Sequence, residues 1–129
     1  MTQNAPPPGY RLIIAGTRKP ADLVYIGFII STVVEAWGLP GAVLCGGCHG
    51  VDAIGAGWAK ANGIPVEMFP ADWDTHGKAA GPIRNAEMAK SADALLAMPG
   101  ADSRGTHDMI RKMGKRKPVA VFTVAEAGR

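Results

Sequence analysis

Residues 42–52 read AVLCGGCHGVD, an apolar run followed by a glycine-rich turn and by the start of a helical pattern. Residues 11–18, RLIIAGTR, likewise place a turn directly after an apolar run. Continuous apolar strands are typical of parallel sheets, because helices cover both faces of such sheets. The two stretches therefore predict strand–turn–helix units of a parallel sheet.

The same alternation continues to residue 124. We predict strands at 11–15, 42–45, 65–69, 92–98 and 119–124, and helices at about 21–37, 51–61, 82–91 and 105–113. Such repetition implies parallel strands joined by right-handed crossovers. The prediction is an α/β fold, a Rossmann-like three-layer α/β/α sandwich of about five strands in the order 3-2-1-4-5. Residues 1–9, which contain Pro6-Pro7-Pro8, are expected to form a flexible leader, and residues 10–129 a single domain.

Composition narrows the class of protein. The chain has 129 residues, of which 47% are hydrophobic and 19% are charged, as in ordinary globular domains. Its net charge of +3 suits an anionic ligand but is too small to require nucleic acid. Two cysteines and the absence of a recognisable secretory signal predict a cytoplasmic protein. The longest apolar stretch, residues 23–30, is too short to span a bilayer.

In the predicted strand order, the turns after the first, second and fourth strands meet at one crevice, where such folds bind ligands. Glycine turns admit a phosphate, helix starts favour anions, and arginine binds phosphate through two parallel hydrogen bonds. Asp52 and Asn85 would bind sugar or base, although Asp52 could also act only as a helix cap. The predicted ligand-binding residues are Gly16, Thr17, Arg18, Gly46, Gly47, His49, Gly50, Asp52, Trp73, Arg84, Asn85, Ser103, Arg104, Gly105 and Thr106.

Residues 69–85 are too long and too polar for a simple connection, which is typical of functional loops. Pro82 is a favoured first helical residue, so Arg84 is predicted in the first turn of a helix. The helix dipole disfavours a cation there, which indicates a partner anion. A surface arginine without such a partner is the alternative.

Cys45, Cys48 and His49 invite other interpretations. The Cys-x-x-Cys-His pattern occurs in c-type haem attachment, which requires export, and in redox or metal sites, which require low-pKa thiols or further ligands. We favour small side chains that line a turn, and we predict neither a metal nor a cofactor.

Two helical segments favour self-association. Residues 21–37 are apolar almost all round, which exceeds what one sheet face can cover. Residues 51–61 carry small side chains that permit close approach of another backbone: Gly55, Ala56, Gly57 and Ala59. We predict a homodimer through one of these helices; the alternative is that both pack inside the monomer.

Four motifs resemble the YspA (cpYpsA-related) branch of the SLOG superfamily, and the resemblance runs from about Arg11 to Val124. They are residues 46–52 (GGCHGVD), 70–73 (PADW), 77–88 (GKAAGPIRNAEM) and 103–106 (SRGT). Cys45 and Cys48 depart from the serine and the small residue expected at those positions. The resemblance implies a Rossmann-like domain that binds nucleotides or nucleotide-derived signals.

Wider relatives of this branch include the "lonely guy" phosphoribohydrolases, which carry the motif P-G-G-x-G-T-x-x-E with a catalytic glutamate, and DNA-processing protein A, which binds single strands. Here the Gly-Thr pair is Gly105-Thr106, and Met109 stands at the glutamate position. The leading hypothesis is therefore binding, by sensing, sequestering or processing, of a nucleotide-like phosphate ligand. The alternatives are N-glycosidic hydrolysis of nucleoside 5′-monophosphates, with Asp52, Glu87 or Asp102 as substitute carboxylate, and single-stranded DNA binding.

Overall fold

The computed structural model describes residues 5–47 and 49–128. Its strands are β1 (Arg11–Gly16), β2 (Ala42–Cys45), β3 (Val66–Met68), β4 (Ala94–Met98) and β5 (Val119–Val121). They form one parallel sheet in the order β3-β2-β1-β4-β5, which confirms the predicted order. The helices are α1 (Leu23–Trp37), α2 (Val51–Ala61), α3 (Trp73–His76), α4 (Ala80–Ser91) and α5 (Arg104–Met113).

Alternate residues of β1 face opposite sides of the sheet, because side chains alternate along a strand. Leu12 and Ile14 belong to the apolar cluster that includes the buried residues of α1 together with Val51 and Ala59 of α2. Ile13 belongs to the cluster on the other face, with Met88 of α4 and Met109 of α5. All five residues of β4 are buried. The sheet therefore lies between two helical layers, as the continuous apolar strands predicted.

The structure corrects the predicted segment between β3 and α4. Part of this stretch is helical: α3 is capped by the Asp72 carboxylate, which accepts a hydrogen bond from Thr75 N at 3.1 Å, and a single 3₁₀ turn covers Gly77–Ala79. Helix α4 then begins at Ala80 and not at Pro82. Proline is still tolerated as the third residue of α4, because the first four helical N–H groups have no intrahelical acceptor.

A segment that follows β5, residues 124–128, crosses back over the carboxyl end of the sheet; we call it the strap. Strand β5 ends at Val121, earlier than the predicted end at residue 124, although Val124 N still donates to Pro99 O at 2.9 Å. Ala127 N donates to Lys19 O at 2.7 Å, and Glu126 forms an isolated antiparallel bridge with Pro20. The strap therefore lies against the turn that leaves β1.

The two helices from which we predicted self-association differ in how far the rest of the chain covers them. In α2, a Cβ added at Gly55 would lie 2.7 Å from Ile14 Cγ2, so this glycine serves packing within the chain. In α1, Val24 is 83% exposed and Phe28 is 64% exposed, whereas Ile26 and Ile30 are buried. The homodimer stays a prediction, and α1 is the helix with an uncovered apolar face.

We predict opposite effects of Gly55→Ala and Gly57→Ala on the free energy of unfolding. Gly55→Ala forces a methyl group against Ile14 and should destabilise the fold by about 1–3 kcal/mol. A Cβ at Gly57 meets no atom within 4 Å, so Gly57→Ala should stabilise α2 by about 0.5–1 kcal/mol. Urea denaturation of both variants measures the difference; equal effects would contradict the packing described for α2.

Candidate functional site

A cavity of about 590 Å³ opens at the carboxyl ends of β1, β2 and β4. Its volume lies within the range of about 300–1,000 Å³ that small-molecule sites occupy. The strand exits, α4, the start of α5 and the strap all contribute to its wall. The predicted site residues that line it are Gly16, Thr17, Arg18, Gly46, Asp52, Arg84, Asn85, Asp102, Ser103, Arg104, Gly105 and Thr106.

The structure does not bring every candidate to this cavity. Gly47, His49 and Gly50 of the glycine-rich turn are absent from its wall, as are Trp73 and Glu87, both of which are exposed. Cys48 lies outside the described residues. Of the three glycines predicted to admit a phosphate, Gly46 lies on the cavity wall, whereas Gly47 and Gly50 do not.

Gly50 has a structural reason to be glycine. Its φ is +69°, and an added Cβ would overlap Thr17 O and Arg18. Val51 N also donates to Thr17 O at 3.0 Å. The start of α2 therefore packs directly on the turn that leaves β1, and the glycine permits contact between two backbone segments of this chain.

The start of α5 is more open. Ser103 occupies the N-cap position, but its side chain does not cap the helix, because Oγ accepts a hydrogen bond from Gly100 N at 2.8 Å. A Cβ at Gly105 would meet nothing within 4 Å. Across residues 5–47 and 49–128, no hydrogen bond or ion pair involves the Arg104 side chain. Arg104 therefore has the position that we predicted for Arg84 from the sequence, a cation at a helix N-terminus. The helix dipole disfavours a cation there, which indicates a partner anion.

Arg84 itself lies in the second turn of α4, because this helix begins at Ala80. Its Nη1 donates to Gly46 O at 2.5 Å and to Phe69 O at 3.4 Å, and its Nε donates to Asn85 Oδ1 at 3.0 Å. The prediction that Arg84 occupies the first turn is therefore wrong. Arg84 joins the turn after β2 to the chain that leaves β3.

Asn85 is buried and ties α4 to α5. Its amide nitrogen donates to Gly105 O at 3.1 Å and to Asp108 Oδ2 at 3.0 Å, while its oxygen accepts the hydrogen bond from Arg84. These contacts use both amide hydrogens. Asn85 thus fixes the position of the α5 start; it also lines the cavity, and its contact with sugar or base stays a prediction.

Asp52 is the most deeply buried acid of the cavity wall. Only 8% of the residue is exposed, and Oδ1 accepts a hydrogen bond from Gly16 N at 3.3 Å. Burial raises the pKa of Asp52 to about 6, against the lowering effects of the Gly16 hydrogen bond and of the positive charges of Arg84 and Arg18. A carboxyl group that titrates near neutral pH in a cleft is typical of functional sites.

Sequence reasoning missed Lys19 and the strap residues Glu126, Ala127 and Gly128, which also line the cavity. Thr17 Oγ donates to Glu126 Oε2 and accepts from Lys19 N at 3.2 Å. The hydroxyl of Thr17, a predicted ligand-binding residue, is therefore directed at a carboxylate of this chain. No sequence signal marked Glu126, because the strap has no regular secondary structure.

Sequence similarity to known proteins identifies the family of this chain. The sequence model described as "YspA, cpYpsA-related SLOG family" matches residues 10–76. The chain belongs to this family. It is also similar to the Gene 61 protein of Mycobacterium phage D29, with 34% identity over 111 residues that cover 81% of this chain and 89% of the phage protein. Membership of the SLOG family indicates a nucleotide-related ligand-binding role.

Two kinds of feature are absent from residues 5–47 and 49–128. No helix there combines the length and the apolar character that crossing a membrane requires. No group of three or more His, Cys, Asp and Glu side chains is arranged to hold a metal ion. Cys45 is buried, and its Sγ donates to Asp52 O at 3.7 Å and accepts from Gly47 N at 3.4 Å.

We predict that Asp52→Asn stabilises the protein at neutral pH. In the folded state the pKa of Asp52 is about 6, above the usual 3.8, because the buried site favours the protonated carboxyl. The stability that this protonated form contributes is fully present below about pH 3.8 and is lost as the pH rises through 6. At pH 7.5 the variant should be more stable than wild type by about 3 kcal/mol, and at pH 4 the two should differ little.

Urea denaturation at both pH values measures this difference, with Asp74→Asn as the control because Asp74 is an exposed residue of α3 outside the cavity. A constant offset between wild type and Asp52→Asn at both pH values would contradict the raised pKa.

Proposed function

We propose that the cavity binds a nucleotide or nucleotide-derived ligand, with its phosphate at the N-terminus of α5. The observation that carries this proposal is the open start of α5, where the Arg104 side chain has no hydrogen-bond or ion-pair partner among residues 5–47 and 49–128 and Ser103 leaves the helix without a side-chain cap. Free N–H groups and the helix dipole favour an anion at such a position. Family membership independently favours a nucleotide-related ligand.

The charges of the wall support the same ligand class. Cationic side chains come from the turn after β1, from α4 and from α5: Arg18, Lys19, Arg84 and Arg104. Three acids, Asp52, Asp102 and Glu126, line the same cavity. A ligand that carries both an anionic group and hydrogen-bond donors satisfies such a mixed wall, and a phosphorylated nucleoside has both.

We predict that Arg104→Ala weakens binding of adenosine 5′-monophosphate (AMP) by about 1.5–3 kcal/mol, the range for hydrogen bonds to charged groups. Isothermal titration calorimetry measures the change. Arg111→Ala is the matched control, because Arg111 is an exposed arginine of the last turn of α5 and lies outside the cavity.

Native mass spectrometry of freshly purified protein complements this titration by detecting a small molecule that co-purifies. An Arg104→Ala variant that binds every tested nucleotide with wild-type affinity would contradict the placement of the phosphate.

Asp52 supports a second candidate function, N-glycosidic hydrolysis. In this reaction water replaces the base at C1′ of a nucleoside 5′-monophosphate, and the base leaves with a proton. A carboxylate beside C1′ stabilises the positive charge that develops on the sugar. Asp52 and Asp102 line the cavity, whereas Glu87, the third candidate, does not. Met109, at the position of the relatives' glutamate, is buried and also lines the cavity.

We expect this activity, if it is the function of the site, to release adenine from AMP in a chromatographic assay and to be lost in Asp52→Asn. The variant should still bind AMP, because asparagine retains the oxygen that accepts from Gly16 N. Unaltered adenine release by Asp52→Asn would exclude Asp52 as the catalytic carboxylate. Single-stranded DNA binding relies on aromatic stacking, and Trp73, the aromatic residue among the predicted ligand-binding residues, lies outside the cavity.

A further inference from the structure

Glu126 brings a carboxylate into the cavity from the strap. Thr17 Oγ donates to its Oε2. In the part of the chain that the structure describes, no hydrogen bond reaches the other oxygen, Oε1. Glu126 is half-buried and lines the cavity. Its carboxylate is thus anchored on one side by the protein and retains acceptor capacity toward the cavity.

Three separate features hold this carboxylate in place. The backbone of the strap is fixed by the bridge between Pro20 and Glu126 and by the hydrogen bond from Ala127 N to Lys19 O. Thr17, which is 2% exposed, supplies the hydroxyl. Gly100 supplies the space, because a Cβ at this position would overlap Glu126 Cδ and Oε2. The absence of a side chain at residue 100 is therefore what admits the carboxylate.

The chemistry of a carboxylate decides which part of a ligand can lie beside it. An ionised carboxylate only accepts hydrogen bonds, through about four lone-pair sites. One of these is used by Thr17. A phosphate placed next to Glu126 would be repelled, since like charges at short range are unfavourable. Two neighbouring sugar hydroxyls, in contrast, present two donors that both carboxylate oxygens can accept.

We propose that Glu126 determines the specificity of the cavity by accepting hydrogen bonds from sugar hydroxyls of the ligand. This inference rests on the proposed function, in which Arg104 and the start of α5 bind the phosphate. The site then selects a phosphorylated ligand with free vicinal hydroxyls, such as a ribonucleotide, over one that lacks them.

Calorimetric titrations with AMP and with 2′,3′-dideoxy-AMP test this proposal in wild type, Glu126→Ala and Gly100→Ala. Glu126→Ala removes the carboxylate, and Gly100→Ala displaces it without removing it. Wild type should bind AMP about 10- to 100-fold more tightly than the dideoxy compound, the range expected for hydrogen bonds to a charged group. Both variants should reduce that preference to less than about 3-fold.

Glu35→Ala is the matched control, because Glu35 is an exposed acid of α1 that lies outside the cavity; it should keep the wild-type preference. Thermal unfolding monitored by circular dichroism verifies that each variant is folded, and the two test variants perturb different segments. Pyrophosphate should bind more tightly to Glu126→Ala than to wild type, because a nearby negative charge is removed.

Three results would overturn the role of Glu126 while the proposed function stands. The preference for AMP over the dideoxy compound could persist in both variants. Both variants could gain affinity for the two compounds equally, which would make the carboxylate a simple anion repellent. The two variants could keep the preference for AMP over the dideoxy compound and instead lose the ability to distinguish AMP from inosine 5′-monophosphate. This result would mean that Glu126 contacts the base. Failure of wild type to bind AMP and pyrophosphate would instead refute the proposed function, and this inference with it.

Discussion

Thr17, at the exit of β1, joins the segments that build the cavity. Its N–H donates to Met98 O of β4 at 3.1 Å, and its carbonyl accepts from Val51 N of α2 at 3.0 Å. Its hydroxyl donates to Glu126 of the strap. One buried residue thus contacts α2, β4 and the strap and connects all three to the exit of β1. The cavity lies where these contacts converge.

Burial of Asp52 and the function proposed for the cavity are linked. A carboxylate that is removed from water is less stable than an exposed one, and Arg84 and Arg18 offset only part of this effect. The Arg84 side chain donates hydrogen bonds to the carbonyl of Gly46 and to Asn85. Both acceptors are neutral, so these hydrogen bonds position the guanidinium at the cavity wall without neutralising its charge. The site thus places a buried acid close to a cation whose own hydrogen-bond partners are neutral.

The sequence predicted the sheet well, because the signal for a buried parallel strand is local. The runs at residues 12–15 and 94–97 are continuous and apolar, and both became central strands. The convergence of the turns after β1, β2 and β4 also followed from strand order alone. In contrast, local pattern could not show that Gly50 contacts Thr17, since this contact joins residues that are far apart in the chain. The same limit applies to Glu126, whose partner Thr17 lies 109 positions earlier.

The strap has a consequence for α1. Ala125 O accepts a hydrogen bond from Ala21 N at 3.0 Å, and the next residue, Asp22, caps α1 through its side chain. The first turn of α1, where Leu23 and Val24 are exposed, is thus attached to the strap. Two adjacent residues, Ala21 and Asp22, connect a segment of the cavity wall to the outer apolar surface of the molecule.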